Sequence, residues 1–181
     1  LYHPHAELEA DWNAGLIGLI VISRLDEANQ DGTPSEADDN FPILMATFDE
    51  NLSPYYAENM AVKGLDPDLY RQDEIFYESN LIQSINGLMY GNLQDITMEK
   101  DNYIQWYFTT MANPADIDSY HAIHLHGNTF VINDRRADVV PLTPANVVTA
   151  QMRPQNEGTW RMHCTIRDHL LEGMDALYTV R

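Results

Sequence analysis

The segment WRMHCTIRDHLLEGM, residues 160–174, brings three kinds of metal ligand close together. Cys164 is the only cysteine among the 181 residues, and His169 and Met174 follow it at intervals of five positions. Copper electron-transfer sites use a thiolate and imidazoles, with a thioether at a weak axial position. Because a single thiol excludes an intrachain disulfide, we interpret Cys164 as a metal ligand.

The seven histidines fall into three groups with metal-ligand spacing: HPH at residues 3–5, HAIHLH at 121–126, and His163 and His169 on either side of the cysteine. In a strand, H-x-H directs both imidazoles to one face, because side chains alternate with a period of two. We predict that His121 supplies the second imidazole of the copper site from a distant strand. Zinc sites more often contain further cysteines, or histidine and carboxylate ligands without methionine, so this ligand set favours copper.

His163 indicates what this site does, because it is the backbone neighbour of Cys164. Mixed soft and borderline ligands suit both oxidation states of copper, so little rearrangement accompanies each electron. An electron that reaches the thiolate could continue through the peptide to a copper ion held by His163. We therefore predict electron transfer.

The charge and the apolar content of the chain limit the classes of partner that it can bind. The chain has 28 acidic and 10 basic residues, for a net charge of −18. Such a surface repels nucleic acid and anionic membranes and favours cations, as bound ions or as substrates. No apolar run approaches the roughly 18 residues that a membrane span requires. We predict neither a nucleic-acid partner nor a membrane span.

Short strand-like segments between turn signals predict an all-β fold. They are GLIGLIVIS, FPILMATFD, YIQWYFTTM, HAIHLHGNTFVIN, VVTAQM, GTWRMHC and DALYTV. Many short strands with such punctuation are typical of a β-sandwich or barrel. One short helix is predicted around TIRDHLLEGM and a weaker one in DPDLYRQDEIFYESN.

The chain divides into three parts. Residues 26–40 are polar and acidic and read as a linker. Residues 1–25 are too few for a domain, so we interpret them as the closing strands of a preceding one. Residues 41–181 are long enough for a complete domain.

The motifs YHAIHLHGNTF and GTWRMHCTIRDHLLEGM resemble the copper motifs of multicopper oxidases. FYESN, INGLMYGNLQDITM and GLIGLIVI narrow the resemblance to the ceruloplasmin and hephaestin group, whose relatives include the non-enzymatic A domains of coagulation factors. The resemblance covers nearly the whole chain. It implies a cupredoxin-like Greek-key β-sandwich over residues 41–181, and the end of a preceding cupredoxin domain over residues 1–25.

The resemblance also implies copper-ligand roles for nine residues. The type 1 copper ligands are matched by His121, Cys164, His169 and Met174. Ligands of the trinuclear type 2 and type 3 copper cluster are matched by His124, His126 and His163. His3 and His5 resemble the H-x-H that a facing domain contributes. Further copies of the chain or an upstream chain are therefore expected as partners that complete the cluster.

Two positions depart from the family pattern. The trinuclear motif is H-C-H in the family, but Thr165 follows Cys164 here, which puts oxygen reduction in doubt. The carboxylates of the family's ferroxidase site are matched by Glu78 and Asp168, whereas Gln83 stands in place of its histidine. Oxidation of Fe²⁺ or of a small reductant by O₂ is the implied reaction.

Two other functions stay open from the sequence. A non-catalytic module like the coagulation-factor A domains is one, and a simple one-copper electron carrier is the other. The resemblance implies an extracellular, secreted protein. The acidic stretches SEADDN and DPD could hold Ca²⁺, although neither has EF-hand spacing. Asn51-Leu52-Ser53 is a glycosylation sequon weakened by Pro54.

Overall fold

The computed structural model describes residues 1–113 and 119–181, so residues 114–118 of the predicted domain lie outside the described residues. The strands are β1 Asp39–Asp49, β2 Leu81–Ile85, β3 Thr97–Met98, β4 Ile104–Thr109, β5 His121–Leu125, β6 Phe130–Ile132, β7 Arg135–Ala137, β8 Val139–Leu142, β9 Val147–Met152, β10 Gly158–Cys164 and β11 Asp175–Val180. The helices are α1 Leu8–Asn13, α2 Tyr56–Lys63, α3 Pro67–Tyr70, α4 Glu74–Ser79 and α5 Arg167–Leu171, with a 3₁₀ turn at Leu25–Glu27.

These strands form two sheets. One has six strands in the order β2-β1-β4-β9-β6-β7, and the other has five in the order β3-β11-β10-β5-β8. Most neighbours are antiparallel, but β1 runs parallel to β4 and β11 runs parallel to β3. The predicted all-β, cupredoxin-like sandwich is confirmed.

The core between the sheets follows from strand alternation. On β1, Ile43 and Met45 face the main core, whereas Ala46 on the opposite face packs with Trp12 of α1. At the centre lies the fully buried Trp106, whose ring contacts aromatic side chains of both sheets. Burying such rings removes the largest apolar areas from water, so this cluster holds the two sheets together.

Several secondary-structure predictions match the observed bounds. VVTAQM, GTWRMHC and DALYTV coincide with β9, β10 and β11. HAIHLHGNTFVIN contains two strands, β5 and β6, because Gly127 turns the chain between them with a φ of +77°. The predicted helix in TIRDHLLEGM is confirmed as α5, and the weaker helix prediction becomes the two short helices α3 and α4.

The strand predicted in GLIGLIVIS is wrong for the described chain. Residues 15–24 contain only an isolated bridge between Tyr2 and Gly18. Ile17 packs beside Trp12, but Ile20 and Ile22 are exposed, with no neighbouring strand beside them in the described residues. The predicted division into residues 1–25, 26–40 and 41–181 stays a prediction.

The sequon asparagine lies inside the fold. Asn51 is 2% exposed, and its amide nitrogen donates hydrogen bonds to Asp49 Oδ1 at 2.8 Å and to the Tyr77 carbonyl at 2.9 Å. Asn80 donates in turn to Asn51 Oδ1. The nitrogen that would carry a glycan is used by buried hydrogen bonds, so the folded chain leaves no room for a glycan there.

The two acidic stretches have roles within the fold. Asp66 of DPD accepts the backbone N–H groups of Asp68 and Leu69 and caps α3. Asp38 of SEADDN accepts the backbone N–H of Tyr103 at 2.7 Å. These bonds use Asp66 as a helix cap and Asp38 as a loop tie, and the Ca²⁺ prediction stays a prediction.

No helix within residues 1–113 and 119–181 combines the length and apolar character that crossing a bilayer requires.

Candidate metal centre

Strands β5 and β10 lie side by side and carry most of the candidate ligands. Their register pairs His163 with His124 and Cys164 with Ile123. Adjacent residues of a strand point to opposite faces, so Cys164 and His163 cannot face the same way. His121 and His124 are three positions apart and also face opposite ways. The two strands therefore offer one set of ligands to the core and another to the outside.

The inner group consists of His121, Cys164 and His169. Their exposed fractions are 3%, 0% and 5%. Cys164 Sγ lies 3.9 Å from His121 Nδ1 and 3.7 Å from His169 Nδ1, and the two Nδ1 atoms are 3.2 Å apart. The structure thus brings together three residues that the sequence separates by up to 48 positions.

These separations fit a single metal ion. With bonds of about 2.0–2.3 Å, ligand atoms around one ion lie about 3.3–3.8 Å from one another. Met174 is fully buried in the same core cluster, and its carbonyl accepts the backbone N–H of Cys164 at 3.0 Å. A thiolate and two imidazoles, with the thioether that the sequence predicts from Met174, are a copper-type donor set.

Helix α5 and the turn after it close the inner group. The backbone N–H of Met174 donates to the His169 carbonyl at 2.9 Å, which ties the turn back onto the helix. Gly173 has a φ of +103°, and a Cβ there would lie 2.8 Å from the Tyr90 ring. The backbone N–H of Tyr90 donates to the Gly173 carbonyl. Only glycine fits this close approach, so Gly173 helps to fix Met174.

Burial raises the pKa of the Cys164 thiol, and nearby backbone N–H groups oppose that rise less strongly. A metal ligand must be the thiolate, which a buried site without a cation disfavours. A bound cation reverses this balance, so metal binding at the inner group releases a proton.

The outer group consists of His124, His126 and His163. One ring nitrogen from each residue lies within 4.8 Å of the others, and the Nε2 atoms of His126 and His163 are 3.0 Å apart. His126 is exposed, whereas His163 is only 9% exposed. Burial, then the neighbouring His163, lowers the pKa of His126. The lowered pKa favours the neutral imidazole of His126, which is the form that binds a metal ion.

Neighbouring groups orient the outer imidazoles. His163 Nδ1 donates to the Cys164 carbonyl at 2.7 Å, which leaves Nε2 as its metal-binding atom. The Tyr178 hydroxyl donates to the His126 carbonyl and accepts from the Asn128 amide at 3.1 Å. An Asp138 carboxylate oxygen lies 3.9 Å from His124 Nε2.

Thr165 directly follows the end of β10. It is exposed, and its backbone N–H donates to the Ala122 carbonyl at 2.8 Å. It stands two positions after His163, where the motif of the resembled family has its second histidine. The hydroxyl of threonine is a poor copper ligand. The trinuclear motif that the resemblance predicts is therefore incomplete at this position.

His3 and His5 lie apart from both groups. Their rings are 4.5 Å from each other, centroid to centroid, and His3 Nδ1 donates to the Pro4 carbonyl. Among the described residues, only the inner and outer groups bring three or more candidate ligands together. The role predicted for His3 and His5, facing another domain, stays a prediction.

The carboxylates predicted to bind iron are both exposed. Glu78 lies in α4, and Asp168 lies in α5 directly before His169. Asp168 contacts only the exposed Arg167 among the ion pairs of the described residues, at 3.3 Å. Gln83 points elsewhere: it is buried, and its Oε1 accepts the Thr47 hydroxyl at 2.8 Å. Its amide is thus held in the interior.

Sequence reasoning missed the residues that support the outer group. Tyr178 and Asp138 lie outside the copper motifs, so no signal in the sequence pointed to them, whereas Asn128 lies inside YHAIHLHGNTF but was assigned no role. Gly127 did carry a signal, because glycine directly after an H-x-H strand indicates a close approach. A Cβ at Gly127 would lie 2.3 Å from the Trp160 ring.

Comparison with known proteins agrees with this geometry. Residues 65–181 match a family model described as multicopper oxidase. The chain is 37% identical to human hephaestin over 185 residues, which is 99% of this chain and 16% of hephaestin. It is 35% identical to the human protein named ferroxidase HEPHL1 over 182 residues, 99% of this chain and 15% of that protein. The chain thus spans about a sixth of the length of these relatives.

Among solved structures, a multicopper oxidase superposes with a TM-score of 0.57 at 16% identity, covering 85% of this chain and 47% of that one. At this identity the similarity establishes the fold. It agrees with the two-sheet sandwich described above.

Proposed function

Because this chain belongs to the multicopper oxidase family, we propose that it binds a type 1 copper ion at the inner group and transfers electrons as part of an oxidase. The observation that carries this proposal is the convergence of Cys164 Sγ with two imidazole Nδ1 atoms at 3.2–3.9 Å, fully inside the sandwich. Copper bound there supplies one-electron chemistry by alternating between its two oxidation states.

The chain's own residues do three things in this function. The sandwich and α5 hold the inner ligands in place before metal arrives, which keeps rearrangement small. The surrounding apolar residues keep water away from Cys164. The peptide between His163 and Cys164 joins the inner and outer groups covalently, so the shortest route between them is one residue long.

We further propose that the reductant is Fe²⁺ or a small electron donor and that O₂ is the acceptor. Glu78 and Asp168 are exposed carboxylates, and Asp168 adjoins the inner ligand His169. Oxygen ligands suit a hard or borderline cation, and the acidic surface attracts it. Since Gln83 is held by Thr47, the iron site would use the carboxylates without it.

The assembly is also part of the proposal. His3 and His5 would face the outer group of another copy or of an upstream chain. We also propose that the protein is located outside the cell.

A one-copper electron carrier is the second candidate, and Thr165 is the observation that favours it. A purely structural module, like coagulation-factor A domains, is the weaker alternative. Such a module needs no thiolate placed beside two imidazoles, and the inner group has both kinds of ligand.

The absorption spectrum of the copper-loaded chain tests the inner site. We expect an intense blue band from thiolate-to-copper charge transfer, lost in Cys164→Ser and kept in His126→Gln. His126→Gln is the matched control, because it alters an imidazole of the outer group only. Copper binding by the unaltered chain without a blue band would contradict the proposal.

Steady-state Fe²⁺ oxidation tests the substrate. Glu78→Gln is expected to raise KM for Fe²⁺ about tenfold, in the range that loss of one partner of a metal site produces. Glu74→Gln is the control, because Glu74 is an exposed carboxylate of the same helix. Equal effects of the two substitutions would show that only surface charge matters and that Glu78 is not an iron ligand.

A further inference from the structure

We infer that Tyr90 is a positioning residue for the inner group: it holds the turn formed by Gly173 and Met174, and it thereby sets the reduction potential of a copper ion bound there. This inference rests on the proposed function, because it takes copper as the metal of the inner group. Tyr90 belongs to residues 86–92, which we call the bridging loop, since they lead from β2 of the six-stranded sheet toward β3 of the five-stranded sheet.

The first end of the bridging loop is fastened to β1. Asn86 Nδ2 donates to the Pro42 carbonyl at 3.0 Å, and Asn86 Oδ1 accepts the backbone N–H of Leu44 at 2.7 Å. The backbone N–H of Asn86 donates to the Leu44 carbonyl at 2.8 Å. These hydrogen bonds from one residue give the loop a fixed base on the six-stranded sheet.

The other end of the bridging loop is fastened to the turn that closes the inner group. The backbone N–H of Tyr90 donates to the Gly173 carbonyl at 2.8 Å, and the backbone N–H of Gly91 donates to the Asp175 carbonyl at 3.1 Å. The Tyr90 ring covers Gly173, because a Cβ at position 173 would lie 2.8 Å from ring atoms. Tyr90 therefore contacts the turn through both its backbone and its side chain.

The turn connects Tyr90 to two ligands of the inner group. The backbone N–H of Met174 donates to the His169 carbonyl at 2.9 Å, and the Met174 carbonyl accepts the backbone N–H of Cys164 at 3.0 Å. Protein interiors are close-packed and transmit displacements between neighbouring groups. A displacement of the turn would therefore reach Cys164 and His169 together.

The backbone conformation of Tyr90 indicates that its side chain is needed at this position. Its φ is +54°, in the left-handed region where a Cβ crowds the following carbonyl and where glycine has no such cost. Residues held in such conformations cluster at functional sites. The contact of the ring with Gly173 is what tyrosine adds here and glycine would lack.

The ring affects the reduction potential by keeping water from the turn. With one thiolate ligand, the inner site carries a positive charge when copper is oxidised and none when copper is reduced. Water stabilises the charged state more than the neutral one, and the apolar surroundings of a metal control how much water reaches it. Covering Gly173 therefore favours the reduced state and raises the potential.

The reduction potential of the copper-loaded full chain, followed by the blue absorption band, tests this inference. Tyr90→Ala removes the ring, so at a fixed potential it should shift the ratio of oxidised to reduced copper about tenfold toward the oxidised form. For a one-electron couple this is a potential lower by about 59 mV.

Two further variants separate the ring from other effects. Tyr90→Phe keeps the ring, and the Tyr90 hydroxyl forms no hydrogen bond within the part of the chain that the structure describes, so this variant should keep the potential of the unaltered chain. Leu88→Ala is the matched control, because Leu88 is an exposed apolar residue of the same loop. It should also leave the potential unchanged.

Tyr90→Gly removes the ring and suits a φ of +54°, so it keeps the test usable if Tyr90→Ala folds poorly. It should lower the potential as much as Tyr90→Ala does. In the metal-free chain, the Cys164 thiol should react with a thiol reagent faster in Tyr90→Gly than in Tyr90→Phe, because the ring no longer closes the inner group.

A blue band whose potential is the same in the unaltered chain, Tyr90→Ala and Tyr90→Gly would overturn the inference and leave the proposed function intact. An equal shift in Leu88→Ala would also overturn it, because the loss of any apolar side chain of the loop would then suffice. Copper binding by the unaltered chain without a blue band would instead overturn the proposed function. The thiol reaction of the metal-free chain would then still report whether Tyr90 closes the inner group.

Discussion

The inner and outer groups are built by the same two strands and meet opposite surroundings. His121 and Cys164 face the core, while His124 and His163 face outward, although only one to three residues separate them along each strand. The inner ligands are 0–5% exposed and are enclosed by α5, whereas His126 of the outer group is exposed. Burial suits a site that only passes electrons, and exposure suits a site that binds a ligand.

The two groups also differ in how the fold supports them. The inner group is fixed from behind by the Met174 turn, where Gly173 packs on Tyr90. The outer group is fixed by Gly127 against Trp160 and by the Tyr178 hydroxyl at the His126 carbonyl. Because the supports are separate, changes to one support should leave the other group intact.

The largest expected effect comes from matched alanine substitutions at the two glycines. Gly173→Ala and Gly127→Ala each force a Cβ into an aromatic ring at a positive φ, so each should cost about 3 kcal/mol of unfolding free energy. Gly173→Ala should shift the blue absorption band, and Gly127→Ala should weaken copper binding at the outer group only. Urea denaturation and copper titration measure these changes.

Gly64→Ala is the control for backbone strain alone. Gly64 has a φ of +68°, but no atom lies within 4 Å of its Cβ position. Gly64→Ala should lower the free energy of unfolding by only about 1 kcal/mol and leave both metal groups unchanged. If Gly173→Ala and Gly127→Ala altered both metal groups equally, the separation of the two supports would be wrong.

Tyr178→Phe tests the support of the outer group without adding volume. It removes the hydroxyl that donates to the His126 carbonyl and accepts from Asn128, so it should cost about 2 kcal/mol. Copper affinity at the outer group should fall about tenfold, as loss of an indirect support does. The blue band should keep its position and intensity, and an equal change in both groups would argue for a general loss of packing.

A smaller effect concerns alkaline pH. Burial raises the pKa of Tyr178 to about 12. An unfolded tyrosine titrates near 10, so the stability that this shift contributes is complete below pH 10 and is lost as the pH rises toward 12. By pH 11 the loss should be about 1 kcal/mol.

Denaturation of the unmodified chain and of Tyr178→Phe at several alkaline pH values measures this loss. The variant has no hydroxyl to ionise at this position, so its stability should fall less steeply. Parallel curves of stability against pH for the two proteins would show that the pKa of Tyr178 is the same in the folded and unfolded states.

Local patterns in the sequence determined several strands of this protein and the spacing of its candidate ligands. The strands β9, β10 and β11 could be predicted from strand-like segments between turn residues, and the spacing of Cys164, His169 and Met174 predicts a copper site. Alternation also separates the two groups, because an offset of one or three positions reverses the face of a strand. These features depend only on neighbours along the chain.

The apolar residues of GLIGLIVIS led to a strand prediction that was wrong. Its residues have strand propensity, but a strand forms only when a neighbour supplies hydrogen bonds. In this segment the described structure has only the isolated bridge from Gly18 to Tyr2. The sequon at Asn51 misleads similarly, because its motif does not report that the side chain is buried. Both outcomes depend on what packs nearby.

The tertiary structure alone decided which distant residues meet. Sheet order places β5 beside β10, so His121 reaches Cys164 across 43 positions. The same packing holds Gln83 on Thr47, brings Asp138 to the rim of the outer group, and sets Tyr178 behind His126. Such contacts come from the burial of apolar surface between two sheets, which is a property of the whole chain and leaves no local pattern in its sequence.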